Sequence, residues 1–447
     1  MACVNEAPGM SANVIVCGGM NEIEAVEAEI DAQPASGGLV RVKTSDRPWI
    51  YGLMIAPSAV LANGVVQGGA LGYLLSRQGV GSGGQAHMIF LLALPTSLYF
   101  LWSPITDFFV RRRTWVLLGG LGAAVLMAAG FHQRNLSGRG AMSLMLISAC
   151  CVQLVVSSCG GMMGAMRSER AKQVAGSAYQ AGSMGFGALA ASVLVWMSSR
   201  TSQDILGLMA AGMIGIPALF ALAAPKQETI VTHGLGETMQ RVWTECKATF
   251  FRKEAIPYIA LLTFPMASGS AVGLLTGVAI QYRVSGDNVA WINGLLGGLL
   301  VAAGSAATAM VGKQMRVPVK YMVVSLINCA AMAVLWLGPL RPWTYLIGVL
   351  LYLFTVGTCY AMATAVFLEF MGASGKSGSG RYSVINSLGN VPVLYMALVD
   401  GWGGDHWGGR GLAAAECVVG ALGAVVLLAY FLTRGRRIGQ AEADARV

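Results

Sequence analysis

The side chains of this sequence that could carry a proton are few, and their placement is unusual. Most of its 21 Asp and Glu lie in polar stretches, but Glu369 and Glu416 fall inside long apolar runs, and Asp107 and Asp400 stand at the ends of such runs. An ionised carboxylate is costly to hold away from water without a partner, and no Lys or Arg lies deep in any run to supply one. A carboxyl so placed can take up and release one proton, which makes Glu369, Glu416 and Asp400 candidates for proton coupling, with Glu369 first. The plainer alternative is that Glu369 and Glu416, each near the end of its run, reach a polar interface and do nothing more.

Two further groups of residues stand out. In "WSPITDFFVRRRTW" (102–115), Asp107 precedes Arg111, Arg112 and Arg113 by four to six positions. The carboxylate can pair with these arginines or face the positive N-terminal end of another helix. Either contact would form with one side of the protein closed and break when it opens, so these four are gating candidates; the helix starting near Arg381 is the expected partner. Asn63 and Gln67 are spaced i, i+4 and share a helix face, as do Asn386 and Asn390. With Gln153, Tyr179, Gln180 and Asn293 they either bond one helix to the next or line a wet cavity that binds a solute.

Membrane-spanning helices are what must position these groups. The chain is 55% hydrophobic and 11% charged, with mean hydropathy +0.62, against roughly 25% charged residues in a soluble domain. Crossing a bilayer takes about 20 mostly apolar residues, and twelve such windows run from 48–75 to 411–433. A large buried helical core would need polar faces between them, and these are missing. Taking loops alternately, only Arg77, Arg134, Arg139, Arg200, Arg283, Arg341 and Arg410 fall on one side; the other 23 of the 30 Lys and Arg fall on the opposite one. Cytoplasmic loops hold the Lys/Arg excess, so both termini are expected in the cytoplasm, with an even number of spans in a cytoplasmic-type membrane.

The expected organisation is a disordered cytoplasmic tail (1–46), a six-helix bundle (47–224), a central cytoplasmic loop (225–255), a second six-helix bundle (256–433) and a short tail (434–447). The first tail has no basic region and carries Glu22, Glu24, Glu27, Glu29 and Asp31, unlike a secretory signal; Met10 and Met20 are alternative starts. Three segment pairs support duplication. "PWIYGLMIAP" (48–57) matches "PYIALLTFP" (257–265) at an offset of about 208. "VRRRTWVL" (110–117) matches "VPVKYMVV" (317–324) at 207, and "RAKQVAGSAYQAGS" (170–183) matches "KSGSGRYSVINSLG" (376–389) at 206. Six is even, so the halves run parallel about an axis along the membrane normal, an arrangement found in secondary transporters. Small residues in 176–192 and 294–312 suit close helix contacts.

"SLYFLWSPITDFFVRRRTWVL" (98–118) resembles the loop between the second and third helices of the major facilitator superfamily. It is closest in character to the peptide–acetyl-coenzyme A transporter branch with its AmpG-type muropeptide permeases. Trp102, Pro104, Asp107 and Arg111–Arg113 stand in the matching places. The Gly before the arginines is missing, and Phe108 replaces an Arg that often follows the Asp. The segment 379–411 resembles the same branch through Tyr382, Ser387, Asn390, Tyr395, Met396 and "DGW" at 400–402. The resemblance spans about 48–433 and implies a twelve-helix, all-α transporter working by alternating access. It implies proton-coupled uptake of a polar solute, muropeptide-like or siderophore-like solutes being possibilities, with the first and seventh helices lining the path.

Other chemistries find little support. "GASGKSGSG" (372–380) lacks the spacing of a phosphate loop, since Phe370 stands where its first Gly belongs, and no strand precedes it. No nucleotide partner is expected. The net charge of +9 is scattered over short loops and forms no patch for nucleic acid. Nine cysteines without a C-x-x-C pair argue against a disulfide framework or a metal site. No catalytic motif, and so no cofactor and no enzyme, is expected; an integral membrane enzyme and a transporter-like sensor without turnover remain the alternatives. The expected partners are a small solute, protons and the lipid bilayer. The topology predicts that a thiol label at Asn135→Cys, in a background without native Cys, reacts from outside intact cells. Labels at Arg112→Cys and Leu235→Cys should be shielded, and the reverse pattern would overturn the orientation.

Overall fold

The computed structural model describes residues 47–106, 110–164, 166, 169–224, 235–253, 255–308, 315–371 and 378–444. The tail 1–46, Asp107 and residues 225–234 therefore lie outside the described residues.

The described residues are largely helical and run back and forth as twelve antiparallel passes. Eight helices, or nine counting the bent first pass, are long and apolar enough to cross a membrane. A further helix, Leu235–Phe250, lies between the sixth and seventh passes, where a loop was expected. Six passes need no break: α3 (Arg112–Phe131), α4 (Arg139–Gly164), α5 (Glu169–Met197), α6 (Gln203–Ala223), α9 (Val317–Leu337) and α10 (Pro342–Met371). α8 (Gly286–Ala307) is also continuous but contains a π-helical stretch, Ala290–Leu296. Large apolar side chains cover the outside of these helices, Val125 and Leu208 being about two-thirds exposed. Such a surface suits hydrocarbon, and helices suit it because they satisfy their own backbone.

The remaining passes are segmented at helix-breaking residues. The first consists of α1a (Ile50–Val66) and α1b (Ala70–Arg77), bent by 41°. α1a ends in a π-helical stretch, Ala59–Val66, and Gly69 takes the left-handed conformation (φ +79°) that starts α1b. The second has α2a (Ser82–Ser97) and α2b (Tyr99–Ile105), parted beyond Pro95, since proline cannot donate and crowds the preceding turn. The seventh has α7a (Ala255–Thr263) and α7b (Ala271–Tyr282), where the sequence predicted one continuous span. Pro265 disfavours helix at Phe264, and Ala267 and Gly269 then take positive φ values, 53° and 69°. The last 54-residue helix, Val391–Asp444, breaks at Trp407 and Gly408. It thus makes two passes: α11, entered from Gly378–Gly389 and ending at Trp407, and α12 beyond Gly408.

The two six-helix halves meet through α1b–α7b, α2–α11 and α5–α8. Thr276 Oγ1 donates to the Gly69 carbonyl at 2.7 Å, and a Cβ on Gly273 would lie 2.8 Å from the Val66 carbonyl oxygen. In both pairs the partners are separated by 207 residues, the offset of the 110–117 and 317–324 segments. Equivalent residues of a duplication that touch each other lie on the axis relating the halves, so α1b and α7b mark that axis. The same operation exchanges α2–α11 with α8–α5.

Loops 78–81, 132–138, 198–202, 283–285, 338–341 and 405–410 share one face, called here the Asp405 face. Hydrogen bonds link them: Gln78 with Gln203, Gln203 with the Gln133 carbonyl, Arg77 with the Ser198 carbonyl, and Arg410 with the Gly338 carbonyl. This face carries the seven arginines assigned to it above. Toward it, one apolar core runs through both halves, joining Leu71 and Ile89 to Leu275 and Tyr345. Toward the opposite face the core divides. Met54, Val116 and Met162 pack in one cluster, and Leu261, Met322 and Phe370 in another. The halves are fused by packing at the Asp405 face and packed separately at the other. Gly273→Val should lower thermal stability in detergent by the cost of overpacking, about 1–3 kcal/mol. Gly185→Ala on α5, where a methyl meets nothing within 4 Å, should be neutral or slightly stabilising. Equal melting temperatures for the two variants would contradict the axis contact.

Candidate functional site

Residues 264–270, between α7a and α7b, hold the most polar buried cluster described. Ser270 Oγ donates to Asp400 Oδ2 at 2.5 Å, and Ser268 Oγ reaches the two Glu416 oxygens at 3.1 and 3.2 Å. The two serine hydroxyls are 3.0 Å apart, and Ser270 Oγ also lies 3.3 Å from Glu416 Oε2. Tyr352 of α10 donates its hydroxyl to Glu416 Oε1 at 2.8 Å. Asp400 is 0% and Glu416 3% exposed; Ser270 Oγ lies within hydrogen-bonding distance of both, while Asp400 Oδ1 has no partner. Four passes, the seventh, tenth, eleventh and twelfth, thus deliver serines, a tyrosine and two acids to one place, and the broken seventh pass is what brings the serines there.

No cation joins this cluster among the described residues. Leaving a buried charge uncompensated costs several kcal/mol, so the two acids can ionise only as a cation is exchanged. Neighbouring oxygens 2.5–3.3 Å apart are at hydrogen-bonding separation. This spacing suits a proton held between oxygens.

A cavity of about 100 Å³ lies between the halves, lined by Asn63, Gln67, Asn293, Leu353, Val356 and Tyr360 among others. Asn63 sits in the π-helical stretch of α1a and Asn293 in that of α8. Such stretches occur mostly at functional sites because they displace side chains from the regular ladder. Asn63 Nδ2 donates to Ser183 Oγ of α5 at 3.0 Å, whereas Gln67 makes no hydrogen bond to a described residue. Tyr360 connects cavity and acids: its hydroxyl lies against Gly269, where a methyl would collide with it. Gly269 sits between the two serines that bind Glu416 and Asp400.

The Asp405 face is latched across the halves. Asp405, at the end of α11, accepts from the backbone N–H of Gly83 at 2.8 Å, in the first turn of α2a. Arg200 forms an ion pair with Asp287 at 2.9 Å, and Ser192 of α5 donates to the Ala290 carbonyl of α8 at 3.2 Å. On the opposite face the Phe100 N–H of α2b points to Ser387 Oγ of α11 at 3.4 Å.

The candidates named from sequence are thus divided. Asp400 was expected at a helix end but is fully buried, because α11 continues past it to Trp407. It meets Glu416. Glu369 stands apart on the opposite face, exposed, accepting from Tyr258 at 2.7 Å. Asn63, Gln67 and Asn293 line the cavity; Tyr179, Gln180, Asn386 and Asn390 do not. Gln153 donates to Thr96 at 2.9 Å and so ties α4 to α2a. Arg112 packs on Gly161 of α4, and Arg111 and Arg113 lie at the start of α3. Asp107 itself is outside the described residues. Ser268, Ser270, Tyr352 and Tyr360 were not anticipated; the signal available was "FPMASGS" (264–270), a breaker-rich motif inside an apolar run.

No family profile matches the sequence, and no curated protein matches it. Solved structures do match. Over 93% of this chain and 99% of the other, it is similar to a peptide transporter, POT, in complex with sulfate, with 12% identity and a TM-score of 0.66. The nucleoside transporter NupG is matched over 87% of this chain and 98% of its own, at 11% identity and a TM-score of 0.61. A D-xylose-proton symporter is matched over 85% and 95%, at 12% identity and a TM-score of 0.61. At such identities the likeness is one of fold: an all-α membrane protein of two six-helix bundles, the major facilitator type.

The cluster geometry predicts the effect of removing one hydroxyl. Ser270→Ala deprives the buried Asp400 Oδ2 of its donor and should destabilise the protein by about 1–3 kcal/mol. Ser270→Thr keeps the hydroxyl and should restore most of the loss. Thermal unfolding in detergent distinguishes them, and an unchanged midpoint for Ser270→Ala would mean that the acids do not depend on this serine.

Proposed function

We propose that this protein is a proton-coupled secondary transporter that takes up a polar solute by alternating access. The observation that carries the reading is the pair of buried acids, Asp400 and Glu416, held by Ser268 and Ser270 on the broken seventh pass. That break touches the cavity through Gly269 and Tyr360. Loss or gain of a proton at the acids changes what the serine hydroxyls can bond, and the chain at 264–270 moves with them. Tyr360 passes that movement to whatever occupies the cavity.

The arrangement of the halves supports alternating access. Packing and latches join them at the Asp405 face, while their cores are separate toward the other. The arginine asymmetry supports the Asp405 face as the outer one, and the separate packing of the two halves toward the other face supports access from inside in this conformation. Opening outward requires breaking the Asp405–Gly83 and Arg200–Asp287 contacts. Asp107, with Arg111–Arg113 and the start of α11, would then latch the inner face in the same manner. α2 and α11 run antiparallel, and Asp405 at the end of α11 meets the first turn of α2a. The likeness in fold to a D-xylose-proton symporter supports coupling to protons. The segments 98–118 and 379–411 support the AmpG-like branch, whose muropeptide-sized solutes exceed a cavity of about 100 Å³ in this conformation.

Reconstitution tests the reading. Liposomes alkaline inside and acidic outside, placed in a defined mixture of sugars, peptides, nucleosides and siderophores, should accumulate at least one component above its external concentration, read by mass spectrometry. Asp400→Asn and Glu416→Gln should reduce this to simple equilibration while preserving exchange of preloaded solute. Glu369→Gln should accumulate as the parent does. Gradient-driven accumulation that survives loss of both buried acids would remove the coupling site.

A further inference from the structure

The helix Leu235–Phe250 stands where the sequence predicts a loop, and no part of the proposed transport cycle uses it. It lies on the face opposite Asp405, against α7a, α2b and the start of α11. Its far end is fixed. The Phe250 ring lies 5.9 Å from that of Phe370, near the end of α10, and packs on the core of the second half. Two residues later, Arg252 donates to the Phe370 carbonyl at 3.0 Å, with its guanidinium 5.7 Å from the same ring. That bond satisfies one of the carbonyls a helix end leaves free.

Two large side chains beside this anchor are left without protein cover. Trp243 is 58% and Phe251 83% exposed. Lys247 lies one turn beyond Trp243, its ammonium 5.3 Å from the indole centroid, and Phe251 follows at the same spacing. A little further on, Ile256 of α7a is 62% exposed, and it belongs to a membrane pass. Uncovered apolar surface therefore runs from the helix onto the seventh pass. What covers the helix is then the same bilayer, at the level of its headgroups.

Charge selects among headgroups. The stretch 247–253 holds three basic residues and no acidic one, between Glu245 and Glu254. By helical spacing Glu245 falls on the other side of the helix from Lys247. Lys247, Arg252 and Lys253 are all exposed, and among the described residues neither lysine has an ion-pair partner. Glu369, beside Phe370, accepts from Tyr258 instead. Aromatic side chains at headgroup depth, with basic ones beside them, suit a helix lying on an anionic leaflet.

We infer that the segment from Trp243 to Lys253 is a binding site for anionic phospholipid. Trp243 and Phe251 enter the headgroup layer, while Lys247 and Lys253 bind its negative charges. Through Phe250, Arg252 and Phe370 the bound leaflet is tied to the end of α10, the pass that carries Tyr352 and Tyr360. The site does not depend on whether a solute is moved.

The test places the full-length protein, in a background without native Cys, in nanodiscs of phosphatidylcholine alone or with about one-quarter phosphatidylglycerol. Both leaflets of a nanodisc are accessible, so orientation does not enter. A fluorescent label sits at Gln240→Cys, an exposed position one turn before Trp243. Acrylamide, an uncharged aqueous quencher, should quench it about two- to threefold less in the anionic discs. Salt at about 0.5 M should remove most of that difference. Lys247→Ala with Lys253→Ala should abolish it, and Lys247→Arg with Lys253→Arg should keep it. Trp243→Ser should raise quenching in both lipids. Equal quenching of the parent in the two lipids overturns the inference. So does a difference that survives loss of both lysines, one as large at Asn135→Cys on the Asp405 face, or quenching indifferent to Trp243→Ser.

Discussion

Backbone groups inside a bilayer have no water to bond, so a helix can be broken there only where something else satisfies what the break releases. Three passes of this protein are broken, and each break has an identifiable substitute. The Pro95 carbonyl, released where α2a ends, accepts from the Trp102 indole at 2.9 Å. The Thr263 carbonyl at the end of α7a accepts from the Tyr395 hydroxyl at 2.6 Å. The Gly69 carbonyl, at the bend of the first pass, accepts from the Tyr73 N–H of α1b at 2.9 Å and takes a second bond from Thr276 across the axis. All three breaks lie where the two halves meet or where the acids are held. Irregular backbone has been spent only in places where side chains of a neighbouring pass complete it.

The same constraint explains why the acids and the irregular chain occur together. A regular α7 would present its serine hydroxyls to its own carbonyls one turn back, as Ser325 does on α9, donating to the Tyr321 carbonyl at 2.7 Å. Broken at 264–270, the chain frees Ser268 and Ser270 to point at carboxylates instead. The left-handed conformation at Ala267 is strained for a residue with a side chain, and the bonds to Glu416 and Asp400 hold it in place. Local strain, the buried acids and the cavity wall are therefore contiguous: 264–270 bonds to both carboxyls, and Tyr360 touches it.

Much of the fold was readable from the sequence because membranes make crude signals decisive. The apolar windows agree with the helical passes, and a repeat offset near 207 agrees with the Gly69–Thr276 contact. Site residues were less legible, for a specific reason. Hydropathy marks where a helix can lie but not where it stops being one, so the continuous reading of the seventh pass concealed Ser268 and Ser270. Ranking acids by depth in an apolar window favoured Glu369 over Asp400. The windows could not show that α11 runs on past Asp400, or that Tyr258 draws Glu369 to an exposed rim. The amides fared better: Asn63 and Gln67 lie on one face of the first pass and both reach the cavity, whereas Asn386 and Asn390 share a face that does not.

The seam at the Asp405 face combines the apolar core shared by the halves with several close approaches of small residues, and the latter bear on how it could open. Gly401 packs on Ala86, Gly404 on Ser82, Gly298 on Ala188 and Gly294 on Ser192. Close approach of small residues supplies contact without the rotamer-locked knobs that would have to be pulled from holes. The polar bonds across it are also modest: the Arg200–Asp287 pair is largely exposed, and such pairs contribute about 0–1 kcal/mol. The cores within each half, by contrast, are filled by Phe131, Met145, Met322 and Phe370, whose exposure would cost far more. Free energy is therefore concentrated within the bundles and kept small between them. Two bodies so made can part at one face and close at the other without either one unfolding, provided the apolar area uncovered on one side is matched by that covered on the other.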